Sequence, residues 1–132
     1  MAWGLSGFEP PGSEILCYAP STTTFVFTYF IVMPRWSPPA DGTVKIPLIQ
    51  RWNALEHVIY THEAGHIAID KKDLADLNSK SQQLATCDAV GQFWANAHVY
   101  DQLNADQDAY HARLHANCKP EVGCIPVNWM GW

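Results

Sequence analysis

Residues 51–78, RWNALEHVIYTHEAGHIAIDKKDLADLN, carry the pattern that decides the fold of this 132-residue chain. Large apolar side chains and two histidines recur at spacings of three and four residues: Trp52, Leu55, Ile59, His62, His66 and Ile69. This spacing puts all of them on one face of an α-helix. Pro47 suits a first helical turn, and the pattern fades near Asn78. The sequence therefore predicts a helix over residues 48–79.

A second stretch with the same period predicts another helix over residues 86–116. Its inward stripe is spaced by four and three residues: Phe93, Ala97, Tyr100, Asn104, Gln107, His111 and Leu114. Three of these side chains, Asn104, Gln107 and His111, are polar, which is unusual for a helix that only packs against a core. The stripe therefore indicates a role beyond packing.

The residues that flank the two helices favour strands and coil. Residues 1–47 hold seven of the nine prolines, and within them Thr22–Met33 is rich in β-branched and aromatic side chains, which is typical of a strand. Residues 14–18 form a weaker strand candidate, and residues 117–132 are predicted to form an ordered tail. Strands followed by helices predict an α+β fold in one domain spanning residues 1–132.

The composition excludes several classes of protein. A hydrophobic content of 48% with only 16% charged residues excludes an intrinsically disordered chain. The net charge of −5 argues against nucleic-acid binding, because the chain offers no basic stripe for a phosphate backbone. The longest apolar run, residues 25–33, is far shorter than the ~20 residues that a membrane-spanning helix needs. These counts leave the oligomeric state open.

The four cysteines bear on the compartment of the protein, and they allow three pairings. Cys118 and Cys124 can close a short loop, which leaves Cys17 to pair with Cys87. Four free thiols in a cytosolic protein are the alternative. Disulfides are typical of small secreted domains, so we expect a secreted or periplasmic protein. The first residues show neither the charged nor the apolar region of a signal peptide.

The segment HEAGH, residues 62–66, contains the motif His-Glu-x-x-His. Histidines at positions i and i+4 of a helix project from one face, so His62 and His66 can bind one Zn²⁺ together. Glu63 lies beside the first ligand, where it can act as a general base toward a metal-activated water. Gly65 lets a neighbouring segment approach the helix closely, at a cost of ~1 kcal/mol in helix propensity.

A zinc site of this kind needs a third protein ligand, and the sequence offers several. His111 is preferred, because it lies on the inward stripe of the second predicted helix. His115, Glu121 and the downstream aspartates are the alternatives. Asp70, four residues after His66, is expected to accept the other ring N–H of a zinc-bound histidine, or else to be a solvated surface residue.

These motifs together resemble the zincin metallopeptidases. Within that superfamily, the chain is similar to a small bacterial family described as predicted secreted zinc-dependent proteases. The resemblance covers residues 20–116 and rests on four stretches: a strand running into residues 34–36, a helix opening at residues 51–53, the His-Glu-x-Gly-His motif, and residues 106–111. It implies that substrate backbone adds to an edge strand beside the site, for which Thr24–Met33 is the candidate.

The function expected from the motif and this resemblance is zinc-dependent hydrolysis of peptide bonds, with a polypeptide as substrate. The ligands would be His62, His66 and His111, and Glu63 would be the general base. Tyr110, Tyr100 or His115 would stabilise the oxyanion, with Tyr110 preferred. A zinc-stabilised binding module without catalytic activity is the first alternative. A zinc amidase that acts on cell-wall peptides is the second.

Overall fold

The computed structural model describes residues 5–9 and 17–126. It consists of two short strands followed by three helices: β1 (Leu5–Glu9), β2 (Thr28–Val32), α1 (Ile46–Ser81), α2 (Cys87–Ala95) and α3 (Asp101–Ala116). Short 3₁₀ turns lie at Pro20–Thr22, Ala97–Tyr100 and Pro120–Val122. The predicted α+β fold class is confirmed.

Helix α1 has 36 residues and extends two residues beyond the predicted span at each end. Pro47 lies in its first turn, where a missing backbone N–H costs nothing. Near its end, the hydroxyl of the fully buried Ser81 accepts a hydrogen bond of 2.9 Å from the indole N–H of Trp94. Three acidic side chains of α1, Glu63, Asp70 and Asp73, are also buried. Glu63 and Asp70 accept hydrogen bonds from other elements, whereas the buried Oδ2 of Asp73 has no partner among the described residues.

The prediction of one continuous helix over residues 86–116 is wrong. The helix starts as expected at Thr86, whose side chain accepts from the backbone N–H of Ala89. It then breaks at Asn96, which has an extended backbone and whose side-chain oxygen accepts from the N–H of His98 at 3.0 Å. Asparagine competes in this way with helical hydrogen bonds, so a 3₁₀ turn follows and α3 begins at Asp101.

The predicted strand Thr22–Met33 is correct only over Thr28–Val32. The backbone N–H and carbonyl of Phe25 instead bond to the side-chain amide of Asn78 on α1, at 2.8 and 2.9 Å. Because this amide takes the place of a partner strand, residues 23–27 stay outside the sheet. Of the weaker strand candidate, residues 14–16 lie outside the described residues, as do residues 127–132 of the predicted tail.

Strand β2 pairs antiparallel with β1, a strand that the sequence did not predict. Gly7 lies opposite Phe30, and a Cβ at Gly7 would approach the Phe30 ring to 3.0 Å. The glycine therefore makes room for the ring across the two strands. This pairing holds β1 against α1.

The hydrophobic core packs the segment before β2 against α1, α2 and α3. Its buried members are Phe25, Phe27, Leu74, Leu77, Val90 and Leu103. The centroid of the Trp94 ring lies 4.8 Å from the centroid of the Phe25 ring.

Both predicted disulfides, Cys17–Cys87 and Cys118–Cys124, are present. Disulfides persist in oxidising, extracytoplasmic compartments. Among the described helices, none has the length and apolarity needed to cross a membrane.

Candidate metal centre

Three histidines converge where α3 crosses α1. His62 and His66 lie one turn apart on α1, with their Nε2 atoms 3.2 Å from each other. His111 on α3 brings its Nε2 atom to 2.8 Å from that of His66. The possible ligand atoms of the three residues all lie within 4.8 Å of one another. Within residues 5–9 and 17–126 this is the one group of its kind, so the structure brings the preferred third residue to the predicted pair and leaves His115 and Glu121 outside it.

The amide of Gln107 on α3 fixes which nitrogen of His66 carries a proton. Its Nε2 donates to the backbone carbonyl of His66 at 3.1 Å and to Oδ1 of Asp70 at 2.8 Å. Its oxygen therefore faces Nδ1 of His66, and because an amide oxygen only accepts, that nitrogen must donate. The prediction that Asp70 accepts a ring N–H directly is therefore wrong, because Asp70 is linked to the His66 ring only through Gln107. In the neutral ring, the Nε2 atom of His66 is then left with a free lone pair.

The backbone carbonyl of Gly123 determines in the same way which ring nitrogen of His62 carries a proton. The carbonyl oxygen of Gly123 lies 3.0 Å from Nδ1 of His62. A carbonyl also only accepts, so Nδ1 carries a proton, and in the neutral ring Nε2 is the nitrogen with the free lone pair. When both rings are neutral, the Nε2 lone pairs of His62 and His66 therefore face each other across 3.2 Å. A cation between the two rings would accept both lone pairs.

The spacing of these nitrogens fits zinc. At Zn–N distances of 2.0–2.1 Å, two ligands of a tetrahedral site are about 3.3 Å apart. The separation of 3.2 Å between His62 and His66 lies close to this value, whereas the 2.8 Å between His66 and His111 is about 0.5 Å shorter. The neutral imidazole is the ligand form. Partial burial lowers the pKa of His111 and so favours this form, and a proton on any of the neighbouring rings of His66, His62 or His115 would lower that pKa further.

Glu63 lies beside this group and is 8% exposed. Its Oε2 atom accepts a hydrogen bond of 2.5 Å from the hydroxyl of Ser6 on β1. No pattern in the sequence indicated this serine, because β1 has neither the length nor the alternation that predicts a strand. The hydroxyl orients one oxygen of the carboxylate.

Tyr110 on α3 contacts the motif from the other side. Its hydroxyl donates to the backbone carbonyl of His62 at 2.9 Å. Burial first, and then the charge of Glu63, raise the pKa of this phenol. A Cβ at Gly65 would lie only 2.0 Å from the hydroxyl oxygen, so the glycine of the motif is the residue that admits Tyr110. The hydroxyl predicted to stabilise an oxyanion is thus bonded to the helix backbone.

A cavity of about 880 Å³ opens onto the histidines and Glu63. Its further lining is largely apolar and comes from β1, α1, α3 and the segment after α3: Leu5, Phe8, Val58, Ile59, Leu114 and Ile125. His115 also lines this cavity, whereas Tyr100 packs against the hydrophobic core. The strand beside the site is therefore β1 and not the predicted Thr24–Met33.

Comparison with known families adds a classification to this geometry. A family model described as a bacterial protein of unknown function (DUF922) matches residues 7–117. The chain belongs to the DUF922 family. No curated protein matches the sequence, and no solved structure matches it either. The segment of this DUF922 protein that matches includes Glu63, the three histidines and Gln107, and it ends before the Cys118–Cys124 loop.

Proposed function

We propose that the protein is a zinc-dependent peptidase of an extracytoplasmic compartment, secreted or periplasmic. The observation that carries the proposal is the pair of facing Nε2 atoms on His62 and His66, whose Nδ1 atoms are each held by a carbonyl-type acceptor. His111 adds a third nitrogen, and Glu63 lies next to the group in an open cavity. Three histidine ligands, an adjacent carboxylate and an accessible cavity are the components of a catalytic zinc site.

Zinc bound by these histidines would lower the pKa of a coordinated water and polarise a substrate carbonyl. Glu63 accepts the proton of the attacking water on its carboxylate and later donates it to the leaving amine nitrogen. Because Ser6 engages Oε2, we assign Oε1 as the proton acceptor. His115 lines the cavity and is the group that we assign to the oxyanion, in place of the engaged Tyr110.

The substrate backbone is expected to lie along β1. Residues 5–8 of this strand line the cavity, and β2 occupies only one of the two edges of β1 among the described residues. An extended peptide can therefore hydrogen-bond to the other edge. The apolar residues of the cavity favour substrates with bulky apolar side chains near the scissile bond.

The test compares the wild-type chain with Glu63→Gln and His66→Ala. We expect the wild-type chain to bind one zinc per molecule and to cleave a peptide library, with cleavage abolished by a chelator and restored by zinc. Glu63→Gln should retain zinc and lose at least ~100-fold in cleavage rate, because it removes the general base. His66→Ala should lose zinc as well. Elemental analysis and mass spectrometry of the products measure both properties.

Other outcomes select the alternatives. Bound zinc with no cleavage of peptides or proteins by the wild-type chain, but with cleavage of cell-wall peptides, would indicate the amidase. Bound zinc with no hydrolysis of any substrate would indicate a non-catalytic binding module. Equal cleavage rates for Glu63→Gln and wild type would contradict the role of Glu63.

A further inference from the structure

We propose that the loop closed by the Cys118–Cys124 disulfide positions His62 for metal binding and thereby sets the zinc affinity of the site. The inference rests on the proposed zinc site, and it identifies Gly123 as a positioning residue for His62. The single contact that carries it is the Gly123 carbonyl on Nδ1 of His62, at 3.0 Å.

The loop presents Gly123 to α1 in a conformation suited to glycine. The φ angle of Gly123 is +87°, in the left-handed region, where a side chain is strained. A Cβ at this position would lie 2.6 Å from the backbone nitrogen of His62 and 2.7 Å from its Cα. The loop backbone therefore rests directly on the helix at the first ligand. Gly123 is buried, while Lys119, Glu121 and Val122 are exposed.

The shape of the loop comes from short-range bonds. The N–H groups of Val122 and Cys124 both donate to the carbonyl of Lys119, at 3.2 and 3.0 Å, and that of Gly123 donates to Pro120 at 3.0 Å. The disulfide joins the two ends, with Cα atoms 5.1 Å apart. Three of its side chains, Lys119, Glu121 and Val122, are exposed. We therefore assign to the disulfide the role of holding the Gly123 carbonyl in place.

His62 and His66 obtain their tautomers from different sources. Gln107 fixes His66 from α3, inside the segment matched by the family model, whereas Gly123 fixes His62 from a loop beyond that segment. Opening the disulfide should therefore affect His62 alone. Its ring loses the acceptor for Nδ1–H, and its Nε2 lone pair is no longer held toward the metal. Loss of a hydrogen-bond partner of a ligand typically weakens metal affinity by 10–100-fold.

The experiment measures zinc affinity and ring tautomers in the double variant Cys118→Ser, Cys124→Ser. Zinc affinity is determined by competition with a chromophoric chelator. The tautomers of His62 and His66 are read from ring ¹⁵N shifts in the metal-free protein, at a pH where both rings are neutral. We expect a 10–100-fold loss of affinity and a mixture of tautomers at His62, with His66 unchanged. Lys119→Ala, an exposed side-chain change in the same loop, should match the wild type.

A second variant keeps the disulfide and moves the carbonyl. Gly123→Ala places a methyl group against the His62 backbone, so it should reproduce the loss of affinity and the His62 tautomer mixture even if the double serine variant does not fold. Folded variants with wild-type affinity and a wild-type His62 tautomer would overturn the proposal, and so would equal changes at His62 and His66. A wild-type chain that binds no zinc would refute the proposed function, whereas the tautomer measurement would still report on Gly123.

Discussion

Replacing Gly65 with alanine tests how tightly α3 is docked on the zinc motif. The new methyl group would lie 2.0 Å from the Tyr110 hydroxyl oxygen and 2.4 Å from the ring carbon that carries it. Both distances are far inside van der Waals contact, and the ring has to move. Because Tyr110 precedes His111 on α3, the movement should also displace His111, the proposed third ligand.

The net effect on stability combines three contributions. Overpacking costs about 1–3 kcal/mol. Loss of the hydrogen bond from Tyr110 to the His62 carbonyl costs about 1 kcal/mol. Alanine gains about 1 kcal/mol over glycine in helix propensity. We therefore expect Gly65→Ala to lower the free energy of unfolding by about 1–3 kcal/mol and to weaken zinc binding.

Urea denaturation of the metal-free protein and zinc competition measure the two effects. Gly91→Ala in α2 is the matched control, because a Cβ there meets no atom within 4 Å. It should raise stability by up to about 1 kcal/mol through helix propensity alone. In a Tyr110→Ala background, the cost of Gly65→Ala should disappear. A Gly65→Ala variant as stable as Gly91→Ala, with unchanged zinc affinity, would refute this account of the motif glycine.

Two further predictions concern side chains between α1 and α3. Burial, and then the Asp106 carboxylate, raise the pKa of Asp73 to about 6. Since the folded-state pKa lies above the unfolded value, this group's contribution to stability is fully present below about pH 4 and is lost as the pH rises to about 6. Asp73→Asn should therefore raise the free energy of unfolding by on the order of 1–2 kcal/mol at pH 7 and by little at pH 4. Urea denaturation at the two pH values measures this difference. A gain that is equal at both pH values would contradict this. Gln107→Leu should weaken zinc binding by 10–100-fold in chelator competition. The control variant Gln102→Leu, on the same helix but away from His66, should leave zinc affinity unchanged. Equal affinities of the two variants would argue against the role of Gln107.

The sequence was sufficient to predict the parts of the site that lie on regular helices. The three- and four-residue spacing placed His62 and His66 on one face and His111 on the stripe that meets it. It failed at Asn96, because the same spacing continues across the break and an asparagine cap leaves the apolar pattern unchanged.

The groups that orient the ligands were harder to predict. Gly123 acts through its backbone, and Ser6 lies on a five-residue strand with a glycine at its centre. Neither residue type indicates its partner, since that partner is set by how distant segments pack. Gln107 did leave a signal, as a polar residue on the inward stripe of α3. Its specific role with His66 and Asp70 required the geometry of the helix crossing.

The position of the Cys17–Cys87 bridge bears on the order in which the molecule is assembled. Both cysteines precede α3, and the segment between them contains β2 and all of α1. Because the bridge needs no residue of α3 or of the Cys118–Cys124 loop, it can form before these segments fold onto α1. In that state His62 and His66 lack Gly123 and Gln107, the neighbours that hold their Nδ1 atoms. The bridge alone therefore does not complete the candidate metal centre, and we expect metal affinity to reach its final value only once α3 and the loop have docked on α1.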